Sequence, residues 1–367
     1  MANNGSDQRP YGQEQSRGDR RGAGAGGHRN GERHDGGRGP SHSRPRNNRD
    51  SAPPNVRFDS RNLQYIFQVE YLAKSIERYI ANHKKKEDDP KVGAEMNKKL
   101  LAAGNNQRMW EEIRPMLAAR EERIKAFSGG ISKSMRVLYP GLIIGVGYPH
   151  MTKQVTGEIQ LGFSFDPITG APYYPGSSVK GVVRHVFTMA AGKKKTAKED
   201  AHVKRADQER AESYRAYLLD ILRDVDEEAW KGVDSLTPED IRAFVIQSFG
   251  DVIAPAKAKT AAAPLDRDIF YDAYIVGQGK NDVFGLDNIA PHTDDNGLPA
   301  PTKDPVPVTF LRILPGSKIT FLMKLHDACL GSVNVSAKVK QELYARILQD
   351  FGIGAKTNVG YGALESC

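Results

Sequence analysis

Gly352-Ile-Gly-Ala-Lys-Thr-Asn-Val-Gly-Tyr-Gly362 joins a segment with helical periodicity, Ala337–Phe351, to an alternation of Val359, Tyr361 and Ala363 that reads as a closing strand. Glycines tolerate positive φ and expose their N–H groups, so Gly352, Gly354, Gly360 and Gly362 can curl the chain around an anion. Lys356 would supply charge, and Thr357 and Asn358 further polar contacts. The anion this chemistry suits is a phosphate. A Walker loop needs G-x-x-x-x-G-K-[ST] between a strand and a helix, whereas alanine precedes Lys356 and the upstream segment is helical. A dinucleotide fingerprint would open a helix, and an alternation follows instead. A ligand-free glycine-rich connection remains the alternative.

A second signal lies at residues 157–187. Ile159, Leu161, Phe163 and Phe165 alternate with polar or small residues at the period of a half-buried strand. Asp166-Pro-Ile-Thr-Gly170 carries turn chemistry, and Pro172-Tyr-Tyr-Pro-Gly176 extends the break. Ser177 or Ser178 is placed to cap a helix whose Val179, Val182, Val183, Val186 and Phe187 form one apolar stripe. Lys180 and Arg184 project from a neighbouring face, so an open helix N-terminus with two serines and two cations could hold phosphates or carboxylates. A capped amphipathic helix with solvated charges is the plainer reading.

Outward from these segments, Arg136–Tyr148 supplies a strand candidate, and further strands are expected at Ile269–Val276, Val306–Leu314 and Lys318–Leu325. The order strand, helix, strands, helix, strand fits an α+β, ferredoxin-like βαββαβ core with extra hairpins and inserted helices. Before it, Asn62–Ile80 and Asn105–Phe127 look helical and should pack as a hairpin, with Tyr65, Val69, Leu72, Ile76 and Tyr79 as the apolar stripe of the first. Lys84-Lys-Lys-Glu-Asp-Asp-Pro90 between them reads as a solvated connection. Residues 192–233 are dominated by charge, with Leu218, Ile221, Leu222 and Val225 on one face of an inserted helix; Lys193-Lys-Lys195 reads as a solvated loop.

Residues 1–55 are Gly, Arg, Asn, Ser and Pro with almost no large apolar side chains, and are expected to be a disordered tail. Their Arg-Gly pairs fit an adhesive single-stranded nucleic-acid tail or a solubilising one. The formal charge of +8 favours a polyanionic partner. No apolar run is long enough to span a membrane, so no membrane partner is expected. Two cysteines, Cys329 and Cys367, suit free thiols in a reducing cytoplasm, and the histidines give no metal-binding spacing, so neither a metal nor another cofactor is expected.

Phe165-Asp-Pro-Ile-Thr-Gly-Ala-Pro-Tyr-Tyr-Pro-Gly-Ser-Ser-Val-Lys-Gly-Val-Val-Arg184, together with the glycine loop, resembles the RAMP superfamily of CRISPR proteins, in particular subunits of type III-B (Cmr) effector complexes. Asp268-Ile-Phe-Tyr-Asp-Ala-Tyr274, Pro291-His292, Pro305-Val-Pro-Val-Thr-Phe310 and Pro315-Gly316 add to the likeness, which covers roughly residues 130–365. It implies a RAMP core over 131–367, preceded by a helical segment at 56–130, with a helical insertion at about 193–240. It also implies that 277–305 is a thumb-like loop pushed across a guide–target duplex, with Phe284, Leu286 and Ile289 as an apolar wedge and His292 nearby; a mobile surface loop is the alternative. The implied partners are a guide RNA (crRNA), a complementary target RNA and other RAMP subunits.

Because a carrier of many guides must not read their sequence, the grip should fall on phosphates and ribose hydroxyls. The expected contacts are the loop amides, Lys356, Thr357 and Asn358, with Lys180 and Arg184 adding charge; Tyr361 either stacks on a base or fills the core. Two other readings stay open. Some relatives cleave RNA, and His150, His185, His292, Asp166 and Asp272 are the residues such chemistry would use, although no spacing singles out a catalytic pair. The chain could also be a protein-interaction subunit without a direct RNA grip.

Overall fold

The computed structural model describes residues 57–85, 90–145, 157–159, 161–192, 201–250, 267–279, 282–290, 292, 300, 302, 304 and 307–367. The expected tail, Lys86, His150 and Lys193-Lys-Lys195 lie outside these residues. The chain begins with α1 (Leu63–Tyr65), a π-helical segment (Ile66–Tyr71) and α2 (Leu72–Lys85), then α3 (Pro90–Gly104) and α4 (Gln107–Ser128). Strand β1 (Ile131–Val137), β2 (Tyr173–Tyr174) and α5 (Gly176–Ala191) follow. After them come α6 (Ala201–Val225), α7 (Glu227–Trp230), α8 (Pro238–Phe249), β3 (Ile269–Phe270) and β4 (Ala273–Val276). A hairpin of β5 (Phe284–Ile289) and β6 (Val308–Ile313) leads to β7 (Lys318–Lys324). A small hairpin, β8 (Ala328–Leu330) and β9 (Val333–Val335), precedes α9 (Ala337–Phe351), a 3₁₀ turn at Thr357–Val359 and β10 (Leu364–Ser366).

The main sheet runs β10-β1-β7-β4-β2, with β3 also on β7, and every pairing is antiparallel. Stripped of its insertions, the order β1-α5-β4-β7-α9-β10 with β7 between β1 and β4 is the expected ferredoxin-like core. Met135, Val137, Ile275, Ile319, Phe321 and Leu364 point to one face and are buried beneath α5 and α9. A buried polar link ties that layer together: Lys340 Nζ on α9 donates to Asp268 (3.0 Å) and to Ser248 Oγ on α8 (2.8 Å), and Tyr344 Oη donates to Asp268 (2.8 Å). Burial holds the Lys340 amine below its ordinary value despite the Asp268 carboxylate.

Several sequence expectations need correction. The first core strand precedes Arg136–Tyr148 for the most part, because residues 138–145 leave the sheet to meet the β6 end and the glycine loop. Among the described residues of 159–165 there is no strand; isolated bridges join Ile159 to Thr309 and Phe165 to Pro172. What fixes the segment is side-chain packing, with Phe163 and Phe165 against Phe67 and Phe284. The anticipated N-terminal hairpin contains a further helix, α3. The first helical segment buries Leu63, Ile66, Phe67 and Tyr71, whereas Tyr65, Val69 and Ile76 of the anticipated stripe are exposed. Val306–Leu314 does hold a strand, β6, but it pairs with β5 outside the main sheet. The closing strand begins at Leu364, beyond Val359, Tyr361 and Ala363.

Candidate functional site

The glycine loop is a packed knot with one outward turn. Ile353 N donates to Gly362 O (3.0 Å), Ala355 N to Ile143 O (3.0 Å), Gly362 N to Gly141 O (2.7 Å) and Gly354 N to Tyr174 Oη (3.3 Å). Gly354 (φ 80°) and Gly362 (φ 76°) are required by close approach as well as by backbone angle. An added Cβ would lie 2.3 Å from Ile143 O at the first and 1.8 Å from Ile353 O at the second. These contacts consume the amides of 353–355 and 362 in holding the loop to the chain.

The outward part is different. Lys356 adopts left-handed geometry (φ 60°, ψ 34°) and opens the 3₁₀ turn Thr357–Val359. Within the turn, Val359 N bonds Lys356 O and Gly360 N bonds Thr357 O. Among the described residues, the amides of Lys356, Thr357 and Asn358 have no such partner, and the Thr357 and Asn358 side chains are exposed. Three successive unbonded N–H groups, with a left-handed lysine at the first of them, are donors of the kind an anion-binding turn offers.

Tyr361 belongs to the core. It is 8% exposed, packs edge-to-face on Phe310 (5.9 Å) and donates its hydroxyl to Asp287 Oδ2 (2.6 Å) on β5. The stacking alternative is therefore withdrawn for it. Burial first, then the Asp287 carboxylate, pushes the Tyr361 phenol up to about 12. Burial opposes ionisation of Asp287, but the hydrogen bonds from Tyr361 and Asn288 and the charge of Arg312 outweigh it and hold that carboxyl below its ordinary value. Arg312 also donates to Pro140 O and lies 3.5 Å from Asp287, so the loop, the 139–143 segment and the β5–β6 hairpin are tied at one point.

The helix N-terminus is not open as expected. Pro175 is the N-cap residue of α5, and neither Ser177 nor Ser178 caps it. Gly176 N instead donates to Asp272 Oδ1 (2.9 Å), placing a carboxylate at the positive helix end where an anion was expected. Lys180 Nζ donates to Phe249 O (3.0 Å), and burial, then the charges of Arg184 and Arg267, hold its amine below the ordinary value. Arg184 is half-buried with an unpartnered Nε. No hydrogen bond or ion pair joins either cation to the glycine loop among the described residues; the two segments meet through Gly354 N and Tyr174 Oη.

The wedge fares similarly. Phe284 is 3% exposed and packs on Trp110, Phe163 and Phe165, while Leu286 and Ile289 are half-buried against core clusters. Phe284 is thus a core residue, which corrects its reading as part of a projecting wedge, and Leu286 and Ile289 lie on opposite faces of β5. His292 is exposed. Asp166 is a turn-former: its Oδ1 accepts from Ile168 N (3.0 Å) and Thr169 N (2.7 Å), and its Oδ2 from Tyr274 Oη (2.6 Å). His185 is exposed beside Tyr214. Among the described residues, no group of three His, Cys, Asp or Glu is arranged to hold a metal ion, and no helix is long and apolar enough to cross a membrane.

Sequence reasoning missed Tyr139, which is 82% exposed and adjoins the Pro140 ring that faces Gly360. Its signal was weak, a Tyr-Pro pair at the end of a strand. It also missed Arg312, whose tie to Asp287 depends on a hairpin that the loop reading concealed.

A ferredoxin-like core closed by a glycine-rich loop defines a recognisable class: a RAMP superfamily model matches residues 134–365, and the chain belongs to that superfamily. It is similar to the CRISPR system Cmr subunit Cmr6 of Pyrococcus furiosus, being 26% identical over 206 residues. That match covers 53% of this chain and 58% of the relative, so the chain spans under two thirds of the relative's length. Among solved structures, a chain of the type III-B Cmr-beta complex bound to cognate target RNA matches with a TM-score of 0.39 and 19% identity, covering 70% of this chain and 66% of that one. The crystal structure of Cmr6 from Pyrococcus furiosus matches with a TM-score of 0.36 and 20% identity, covering 65% and 97%.

Proposed function

We propose that this chain is an RNA-binding structural subunit of a type III-B CRISPR (Cmr) effector complex in the cytoplasm, holding the guide RNA by its backbone and helping to keep the guide–target duplex in place. The observation that carries this reading is the outward turn at Lys356–Asn358, with three successive unbonded amides and a cation on a rigidly anchored loop. Superfamily membership and the similarity to Cmr6 support it. Amides and an ammonium recognise phosphate oxygens and carry no information about base identity. The turn therefore suits a carrier of variable guides.

The role is proposed as non-catalytic. Asp166 and Asp272, two of the residues such chemistry would use, are engaged in a turn and at a helix end. Incubation of the purified protein with guide precursor and with guide–target duplex, with and without divalent metal, tests this; cutting that depends on metal or on a histidine would refute it. The grip is tested by Lys356→Gln. Removing one phosphate contact should weaken binding several-fold for unrelated guides alike and lower the salt slope by about 0.7. Loss confined to one guide sequence would contradict the proposal.

Other subunits are proposed as partners as well. Tyr65, Val69, Ile76 and Ile80 expose an apolar stripe along the N-terminal helices, which favours protein contacts there. If the isolated chain binds guide RNA no better than millimolar while the assembled complex binds tightly, docking rather than direct grip is its main role.

A further inference from the structure

The sheet has a second face, opposite α5 and α9, whose chemistry differs from that of the core. Alternation places Ser134 and Arg136 of β1, Thr320 and Lys318 of β7, Tyr274 of β4 and Tyr173 of β2 on it, in register across the strands. All six are half-buried, in contrast to the sealed Met135, Ile319 and Ile275 behind them. Tyr173 and Tyr274 stack with centroids 6.0 Å apart and planes at 29°. Arg120 of α4 lies 4.4 Å over the Tyr274 ring. Beside Tyr274 lies an open cleft of about 540 Å³, lined by Arg120, Arg123 and the apolar Met116 and Leu117 of α4 and by the Asp166–Thr169 turn.

The charges on this face are unequal in their availability. Asp166 is satisfied by its turn and by Tyr274, and Glu365 is paired with Arg136 (3.1 Å). The Lys318 ammonium makes no hydrogen bond or ion pair among the described residues, whereas the Arg136 guanidinium is engaged by Glu365 and its Nε is buried. The Ser134 and Thr320 hydroxyls, 3.1 Å apart, form a polar floor between cations and rings. Hydroxyls and the Lys318 ammonium beside layered aromatic and guanidinium planes match a single-stranded ribonucleotide, which offers a phosphate, a 2′-OH and a base to stack.

We propose that this open sheet face is a second RNA-contact surface, with Tyr173, Tyr274 and Arg120 as the base-stacking platform and Lys318 as a phosphate contact. In sequence, β1 leads from Arg136 to the 138–143 segment on which the glycine loop is anchored. This inference rests on the RNA-binding reading, deepens it by specifying how bases are held, and predicts a footprint longer than the turn alone would give.

The test uses the full chain and a uridine-rich single-stranded RNA carrying photoreactive 4-thiouridine, with crosslinked peptides mapped by mass spectrometry. Expected are crosslinks at Tyr173 or Tyr274 in addition to residues 355–360. Tyr173→Leu should weaken binding about ten-fold, as for loss of one stacked base. Lys318→Gln, which disturbs no internal bond, should lower the salt slope by about 0.7 with an unchanged unfolding midpoint. Crosslinks confined to 355–360, together with an unaltered slope for Lys318→Gln, would overturn the second surface while leaving the turn's grip intact. An absence of RNA binding in both the isolated chain and the assembled complex would remove both. Shielding of this face by a neighbouring subunit in the assembled complex, with no RNA crosslink to it, would assign it to protein docking and also overturn the proposal.

Discussion

Replacing Tyr361 with Phe removes one hydroxyl and leaves the ring on Phe310, so the effect isolates the bond that pins the glycine loop to the β5–β6 hairpin. A hydrogen bond to a charged group contributes about 1.5–3 kcal/mol. The Asp287 side chain is 34% exposed and retains Arg312, so water and the guanidinium can partly replace the lost donor, and the lower end, about 1.5 kcal/mol at pH 7, is expected. The pH dependence gives an independent check. The folded phenol is raised from 10 to about 12, so its contribution is complete below pH 10 and is lost as pH rises through 12. By pH 11 the native protein should lose about 1.4 kcal/mol that the Phe variant cannot lose. Urea unfolding of both proteins at pH 7 and pH 11 measures this directly. The stability gap should be near 1.5 kcal/mol at neutral pH and close towards zero at pH 11. A gap that persists unchanged at pH 11, or none at pH 7, would refute the assignment of the bond as the loop's anchor.

Lys340→Met should destabilise the fold by about 3 kcal/mol, because it strands the buried Asp268 carboxylate with only its Tyr344 and His326 partners. Adding Asp268→Asn to that variant should recover part of the loss in the same unfolding assay. Asp166→Asn should cost about 1–2 kcal/mol at neutral pH. Burial alone would raise the Asp166 carboxyl, but the hydrogen bonds from Thr169, Tyr274 and Ile168 hold it below 3.8. Its stabilisation is therefore present above pH 3.8 and is lost as pH falls through the folded value, so the gap to the Asn variant should narrow in acid.

The parts legible in sequence were those with local punctuation. Helix α9 runs from Ala337 to Phe351 as read, because Ser336 caps Val339 N and Gly352 ends it with positive φ. The core order was legible because its strands and helices keep clean periods. The first helix shows where period fails. It carries apolar residues on two sides, and only distant partners, Phe163 and Phe165 for Phe67 and Asn97 and Ile159 for Tyr71, select these over Tyr65 and Val69. Strand β5 was hidden by Gly285, Asp287 and Asn288, residues that signal turns; Asn105 Oδ1 accepting from Val283 N and Phe284 N, 179 residues away at the farther, supplies what local sequence does not. At the site, the glycine spacing located the loop. It could not tell that most of its amides face inward, nor that Asp272 would reach the α5 N-terminus first, because both depend on contacts between distant segments.

The central claim is a grip on RNA that ignores base identity. The most direct measurement is the affinity of the native protein for three single-stranded RNAs of equal length and unrelated sequence, each titrated across a range of salt concentrations. The account predicts near-equal dissociation constants and one shared salt slope, set by the number of phosphates held. Affinities that differ ten-fold or more between sequences at the same salt, or binding insensitive to salt, would contradict it.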